Sequence, residues 1–226
     1  MQEEAVRAVL VDLDGTQLDT VLDLHSAANA MLRELGRPQV SIETVRSYVG
    51  RGVPNLVKRL LAGRVEAADD PSPAPVVALD VFKKHYHESN GLHATTYPGV
   101  VEGLQALRDA GMPLVCITNK AEAFTLPLLE RSGLRPFFDL VVSGDTLPRQ
   151  KPDPMQIVWS CGRLDLKPPQ VLLIGDSKSD ARAARAAGCR VFILPYGYNE
   201  GEDVRQLDCD AIVASVADAA NNILNA

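Results

Sequence analysis

Six short apolar runs govern what this chain can fold into. They are AVRAVLVD (5–12), PLVCIT (113–118), DLVVSG (139–144), QVLLIGD (170–176), CRVFILP (189–195) and AIVAS (211–215). Each is nearly continuous in apolar, often β-branched residues, the pattern of strands covered on both faces. Between the later runs the period becomes helical. Val101, Leu104, Leu107 and Arg108 precede Gly111; Phe124, Leu128, Leu129 and Arg131 precede Gly133; Ala181, Ala184 and Ala187 precede Gly188. A glycine just past the last periodic residue is a helix stop. Strands alternating with helices imply βαβ units joined by right-handed crossovers. The expected fold class is α/β, a doubly wound parallel sheet with a Rossmann-like core.

One long gap interrupts this rhythm, between the first run and PLVCIT. It carries helical stripes instead: Val21, Leu24, Ala28, Met31, Leu32 and Leu35 before Gly36, then Val53, Leu56, Val57, Leu60 and Leu61. A third stripe, Val77, Leu79, Val81 and Phe82 toward Tyr86, follows the proline-rich connector DDPSPAP (69–75). A structureless loop of that length does not suit a compact domain. The expected organisation is an α/β core over 1–17 and 91–226 with a helical insertion over 18–90. A chain of 226 residues is long enough to bury both.

The chemistry gathers where the apolar runs stop. VLVDLDGT (9–16) ends in Asp12 and Asp14, which the two-residue strand period places on roughly one side. Two such charges ~4 Å apart repel by about 4 kcal/mol at an effective dielectric of 20. A bound divalent cation reverses that sign. An EF-hand loop also begins D-x-D, but Gln17 stands where its glycine belongs and Asp23 where its final Glu belongs. Asp176 likewise ends a run, in LLIGDSKSD, and Asp180 follows within the first turn of the next helix. Hard carboxylate ligands on strand ends suit Mg²⁺; read alone, GDSKSD is equally an N-cap with an acid favoured by the helix dipole.

Two further strand ends bring the opposite polarity. PLVCITNK sets Thr118 and Asn119 at a tip, where a hydroxyl and backbone N–H groups suit phosphate oxygens at a helix start. SGDTLPRQKPDP carries Lys151 between Pro148 and Pro152, which restrict the backbone that presents the ammonium. In isolation Thr118 is a helix cap and Lys151 a solvated surface lysine. In a parallel sheet all four polar ends share one edge.

That ordered set resembles the haloacid dehalogenase-like superfamily of phosphohydrolases. DLDGT, ITN, KPDP and GDSKSD stand where its four motifs stand, and the helical insertion stands where its cap lies. The resemblance implies that Asp12 is the nucleophile and Asp14 the general acid, then base. It implies that Thr118 and the Asn119 backbone hold the phosphoryl group beside Lys151. It assigns Mg²⁺ to the Asp12 carboxylate, the Asp14 carbonyl and Asp176, with Asp180 ligating or orienting a water. Phosphoryl transfer rests chiefly on in-line positioning and electrostatic stabilisation, and a carboxylate nucleophile divides it into two easier steps.

Within that superfamily the chain is most similar to bacterial phosphoglycolate phosphatases, through DLDGTQLDTVLDLHSAANAML, YVGRGVPNLVKRLL, YPGVVEGLQALRDAG, SGDTLPRQKPDP and PYGYNEG. Gln17 departs from the family, which usually carries an apolar residue there. Arg51, between two glycines, is expected to reach the cleft and pair with a substrate carboxylate through its planar fork. The implied activity is Mg²⁺-dependent hydrolysis of a small phosphorylated acid, 2-phosphoglycolate first. The alternatives are a sugar phosphomutase of the β-phosphoglucomutase kind, or a broad-specificity sugar phosphate phosphatase. A dehalogenase would have no need of the GDSKSD acids.

Charge and cysteine usage narrow the partners. Lys and Arg number 23 against 29 Asp and Glu, a net −6, which argues against a nucleic-acid binder and a polybasic membrane patch. Cys116, Cys161, Cys189 and Cys209 form no C-x-x-C pair and read as free thiols. The N-terminal MQEEAVR has no apolar leader core, so a cytoplasmic location is expected. His85 and His87 fall on nearly opposite sides of a helix and make no metal pair.

Overall fold

The first apolar run forms strand β1 (Ala8–Val11) at the interior of a six-stranded sheet in the computed structural model, which describes residues 4–70 and 72–225. The chain then makes the two-residue strand β2 (Leu18–Asp19) and helices α1 (Val21–Glu34), α2 (Ile42–Tyr48), α3 (Gly52–Ala62) and α4 (Val76–Ser89). Strand β3 (Thr95–Thr96) returns antiparallel to β2, so a short ribbon ties the four helices to the sheet. From there helices and strands alternate: α5 (Val100–Asp109), β4 (Leu114–Ile117), α6 (Glu122–Arg131), β5 (Leu140–Val142) and α7 (Met155–Arg163). The series ends with β6 (Val171–Gly175), α8 (Lys178–Ala187), β7 (Arg190–Ile193), β8 (Ala211–Ile212) and α9 (Val216–Leu224).

The sheet order is β5-β4-β1-β6-β7-β8, with every neighbouring pair parallel. Strand order runs outward one way through β4 and β5, then the other way through β6 and β7. The reversal sits at β1, and ligands in open α/β sheets bind beyond the carboxyl ends at such a point. Side-chain alternation explains why the runs are continuously apolar. Val9, Val11, Leu114, Cys116, Leu172 and Ile174 pack on one face with α5 and α9. Ala8, Leu10, Val115, Ile117, Val171 and Leu173 pack on the other with α7 and α8. Each fully buried branched side chain of this kind contributes about 1.5–3 kcal/mol.

The inserted helices have a core of their own, built on Leu24, Met31, Val45, Leu56, Phe82 and Tyr86, with Phe124 and Tyr198 entering it from the α/β side. In α4 the phase differs from the sequence expectation. Val77 is 68% exposed, while Ala78, Phe82 and Tyr86 face inward at four-residue spacing. Bulky Val77 competes with a small alanine for the inner stripe, and the aromatics that follow decide the face. Helix α2 and the β2–β3 ribbon have no counterpart in the sequence reading because both are too short to display a period. Among the described residues no helix is long and apolar enough to cross a membrane.

Candidate active site

Asp12 follows β1 directly, and its backbone N–H still donates to the Ile174 carbonyl of β6 at 2.9 Å, which holds it at the reversal point. Lys151 reaches it from the loop after β5. The Lys151 Nζ donates to Asp12 Oδ1 at 2.7 Å, to Asp180 Oδ1 at 2.6 Å and to the Ile117 carbonyl at 3.0 Å, so all three ammonium protons have acceptors. Asp176 follows β6; its Oδ1 accepts from the Thr16 hydroxyl at 2.8 Å and its Oδ2 from the Tyr198 N–H at 2.5 Å. Asp180 closes a capping box on α8 with Ser177, which holds its Oδ2 at 2.6 Å. Gly15, at φ +85°, passes so close to the Asp176 carboxylate that any Cβ there would collide with it.

Carboxylate oxygens of Asp12, Asp176 and Asp180 all lie within 4.8 Å of one another, and all three residues are buried. Burial, with the charge of Asp180 adding to it against the pull of Lys151, pushes the Asp12 carboxyl up to about 7. Burial and the neighbouring Asp12 and Asp180 raise Asp176 well above the carboxylate range. Burial opposes the Lys151 charge, but Asp12 and Asp180 outweigh it and hold its pKa above that of a free lysine. Three clustered acids and one lysine leave excess negative charge, and the donors are hard oxygens. This set fits Mg²⁺.

Asp14 points elsewhere. Its carboxylate is outside the three-acid cluster; Oδ1 accepts from the Thr20 hydroxyl at 2.6 Å and from Lys120 Nζ at 3.0 Å. Thr118 is buried at the tip of β4, its Oγ1 accepting from the Lys120 N–H at 3.1 Å. The Asn119 side chain donates to the Lys151 carbonyl at 2.8 Å and to the Gly50 carbonyl at 3.3 Å, spanning the α/β and helical parts. A cavity of about 50 Å³ is lined by Asp12, Asp14, Thr118, Asn119, Lys151 and Asp176 on the sheet side. Leu24, Val49, Val53 and Leu56 line it from the inserted helices. One water needs roughly 10–15 Å³ on this measure, so the chamber suits a small molecule.

Arg51 differs from its expected place. The flanking Gly50 and Gly52 line the cavity, whereas the Arg51 guanidinium engages Asp69 at 2.6 Å and Glu200 at 3.2 Å. Two nearby carboxylates satisfy its fork at the rim, which removes the drive to extend inward. Gln17 is wholly buried, its Nε2 donating to the Asp12 carbonyl at 2.8 Å while Oε1 has no partner among the described residues. Sequence reasoning did not single out Lys120, Thr16, Tyr86, Tyr198 or Glu200. Only Lys120 left a signal, a basic residue two positions beyond Thr118 at the same strand tip.

The chain is 52% identical over 218 residues to a phosphoglycolate phosphatase of Nitrosospira multiformis, covering 96% of each chain. It is 52% identical over 215 residues to one of Thiobacillus denitrificans, covering 95% of this chain and 94% of that one. A crystal structure of a predicted phosphoglycolate phosphatase from Haemophilus somnus superposes with a TM-score of 0.86 at 31% identity, over 96% of this chain and 97% of that one. With residues 9–194 matching the profile of the haloacid dehalogenase-like hydrolases, this chain belongs to that family.

Proposed function

We propose that this protein is a Mg²⁺-dependent phosphomonoesterase whose substrate is a small phosphorylated acid, 2-phosphoglycolate, cleaved to glycolate and phosphate. The observation that carries the reading is the convergence of Asp12, Lys151, Asp176 and Asp180 at the sheet reversal beneath a chamber of about 50 Å³. The two relatives at 52% identity, each a phosphoglycolate phosphatase, support the substrate. The same relatives speak for this ester against the mutase alternative.

In this reading Asp12 attacks phosphorus, the ester P–O bond breaks, and the leaving oxygen takes a proton from Asp14. The Asp14 carboxylate then takes a proton from a water that attacks the phosphoaspartyl group, and the Asp12–phosphorus bond breaks to release phosphate. Lys151 neutralises Asp12 and the phosphoryl oxygens, and Thr118 with Asn119 holds the transferring group. Asp12, Asp176 and Asp180, with the Asp14 carbonyl, would hold Mg²⁺, which when bound offsets charge on the phosphate and its acidic surroundings. The inserted helices over residues 18–90 serve as a cap that excludes bulk water. Free thiols at Cys116, Cys161 and Cys189 support a reducing, cytoplasmic setting.

A phosphate-release screen across small phosphate esters, with and without Mg²⁺, tests this. Rapid Mg²⁺-dependent release from 2-phosphoglycolate, outpacing hexose phosphates, is expected. Isomerised sugar phosphate without free phosphate would instead identify a mutase.

A further inference from the structure

Lys120 is a second buried cation in the site, with no part in the reaction as set out above. Its side chain is 3% exposed, and Nζ donates to Asp14 Oδ1 at 3.0 Å, to Asp14 Oδ2 at 3.3 Å and to the Tyr86 hydroxyl. A buried ammonium is costly unless paired and hydrogen-bonded, so these two acceptors dictate where it sits. Tyr86 comes from α4 of the insertion and is itself wholly buried, its ring 5.5 Å from Phe82 and 4.8 Å from Phe124. The lysine's own backbone is pinned as well. Its N–H meets the Thr118 hydroxyl at 3.1 Å, and its carbonyl accepts from the Gly144 N–H at 2.7 Å and the Thr125 hydroxyl at 3.0 Å.

Asp14 is thereby gripped from two sides. Thr20 and Lys120 both engage Oδ1, while among the described residues Oδ2 has only the longer lysine contact, so Oδ2 is the oxygen left for a proton shared with the substrate. The threonine alone fixes one oxygen and leaves the carboxyl plane free to turn about it. The lysine, bridging both oxygens, fixes the plane. The geometry points to Lys120 as the positioning residue of Asp14, held in register by the Tyr86 hydroxyl so that the proton donor is aimed only when the cap helix α4 is seated. The inference rests on the phosphatase reading and adds to it a device linking cap position to proton transfer.

The expected signature separates esters by leaving group. An alkyl ester needs the proton that Asp14 supplies, whereas p-nitrophenolate departs without it. In Lys120→Met, single-turnover cleavage of 2-phosphoglycolate should fall about 100-fold, the scale of one displaced general acid. The first turnover of p-nitrophenyl phosphate should stay within about threefold of wild type. Later turnovers should be slow, because the water step needs Asp14 as base, so a nitrophenolate burst of one per active site appears. Lys120→Arg should restore part of the alkyl-ester rate. Tyr86→Phe, which keeps the packing, should show the same selectivity at smaller amplitude and serves where Lys120→Met does not fold. Equal loss on both esters in Tyr86→Phe or a folded Lys120→Met, or no loss on either, overturns the role of Lys120 alone. A wild-type protein that cleaves neither ester overturns the phosphatase reading and this inference together.

Discussion

Arg59 of the inserted helix α3 and Glu200 of the loop after β7 meet at 2.6 Å, with the guanidinium fully buried. Two further Arg59 N–H groups donate to the carbonyls of Val65 and Tyr48, at 2.9 and 2.8 Å, and Glu200 is its single carboxylate partner among the described residues. The pair is a second tie between the two parts of the molecule, beside the β2–β3 ribbon. Glu200→Gln should cost on the order of 2 kcal/mol, lowering Tm by roughly 4–8 °C for a chain of this size. It should also raise KM more than it changes kcat. Unchanged melting would remove the pair from any role in holding the inserted helices to the α/β part.

Arg51 shares the same glutamate and adds Asp69, so its substitution probes the rim. Arg51→Ala should reduce kcat/KM for 2-phosphoglycolate and for an alkyl phosphate without a carboxylate by the same factor, about two- to fivefold. Steady-state kinetics on the two esters decides this. A loss confined to the carboxylated ester would place the guanidinium on the substrate.

Asp12→Asn should abolish turnover, by at least about 10⁴-fold, while circular dichroism and melting show a folded protein. Asp12 is held by Lys151 and the β6 ladder, contacts that an amide of the same shape largely retains. Residual kcat within tenfold of wild type would exclude it as nucleophile.

The acid cluster predicts how metal-free stability responds to pH. Burial and neighbouring charge raise Asp12 from 3.8 to about 7 and raise Asp176 in the same direction. Between those values the folded state keeps protons that the unfolded chain has lost, so stability falls as pH rises through the window from about 4 to about 7. In chelator, Tm should therefore drop between pH 5 and 7.5, and Mg²⁺ should flatten that slope. Asp176→Asn should flatten it without metal and blunt the Mg²⁺ response of activity. A chelated Tm that climbs with pH across this range would contradict the cluster.

The parts of the site that were legible in the sequence are those written locally. Asp12, Thr118 and Asp176 sit at the ends of apolar runs, and a parallel sheet brings run ends to one edge without further information. Lys151 was readable from its proline bracket. The remaining contacts form across the fold between residues that no spacing relates. Lys120 and Asp14 are 106 positions apart, and Arg59 and Glu200 are 141 apart. Arg51 misled for the same reason: its glycines mark a loop at the cleft, but the acids that capture its fork come from other segments. The fold followed the same rule, since long apolar runs announced the sheet while the two-residue ribbon left no pattern.

The lining of the chamber divides by origin: carboxylates and lysines arise from the sheet rim, and the apolar side chains Leu24, Val49, Val53 and Leu56 arise from the inserted helices. Size and chemistry are therefore encoded in separate stretches of gene. Mutation can widen or narrow the room offered to a new ester by editing a few aliphatic codons, leaving the bond-breaking apparatus intact, and one scaffold can in this way acquire new substrates without first losing its reaction.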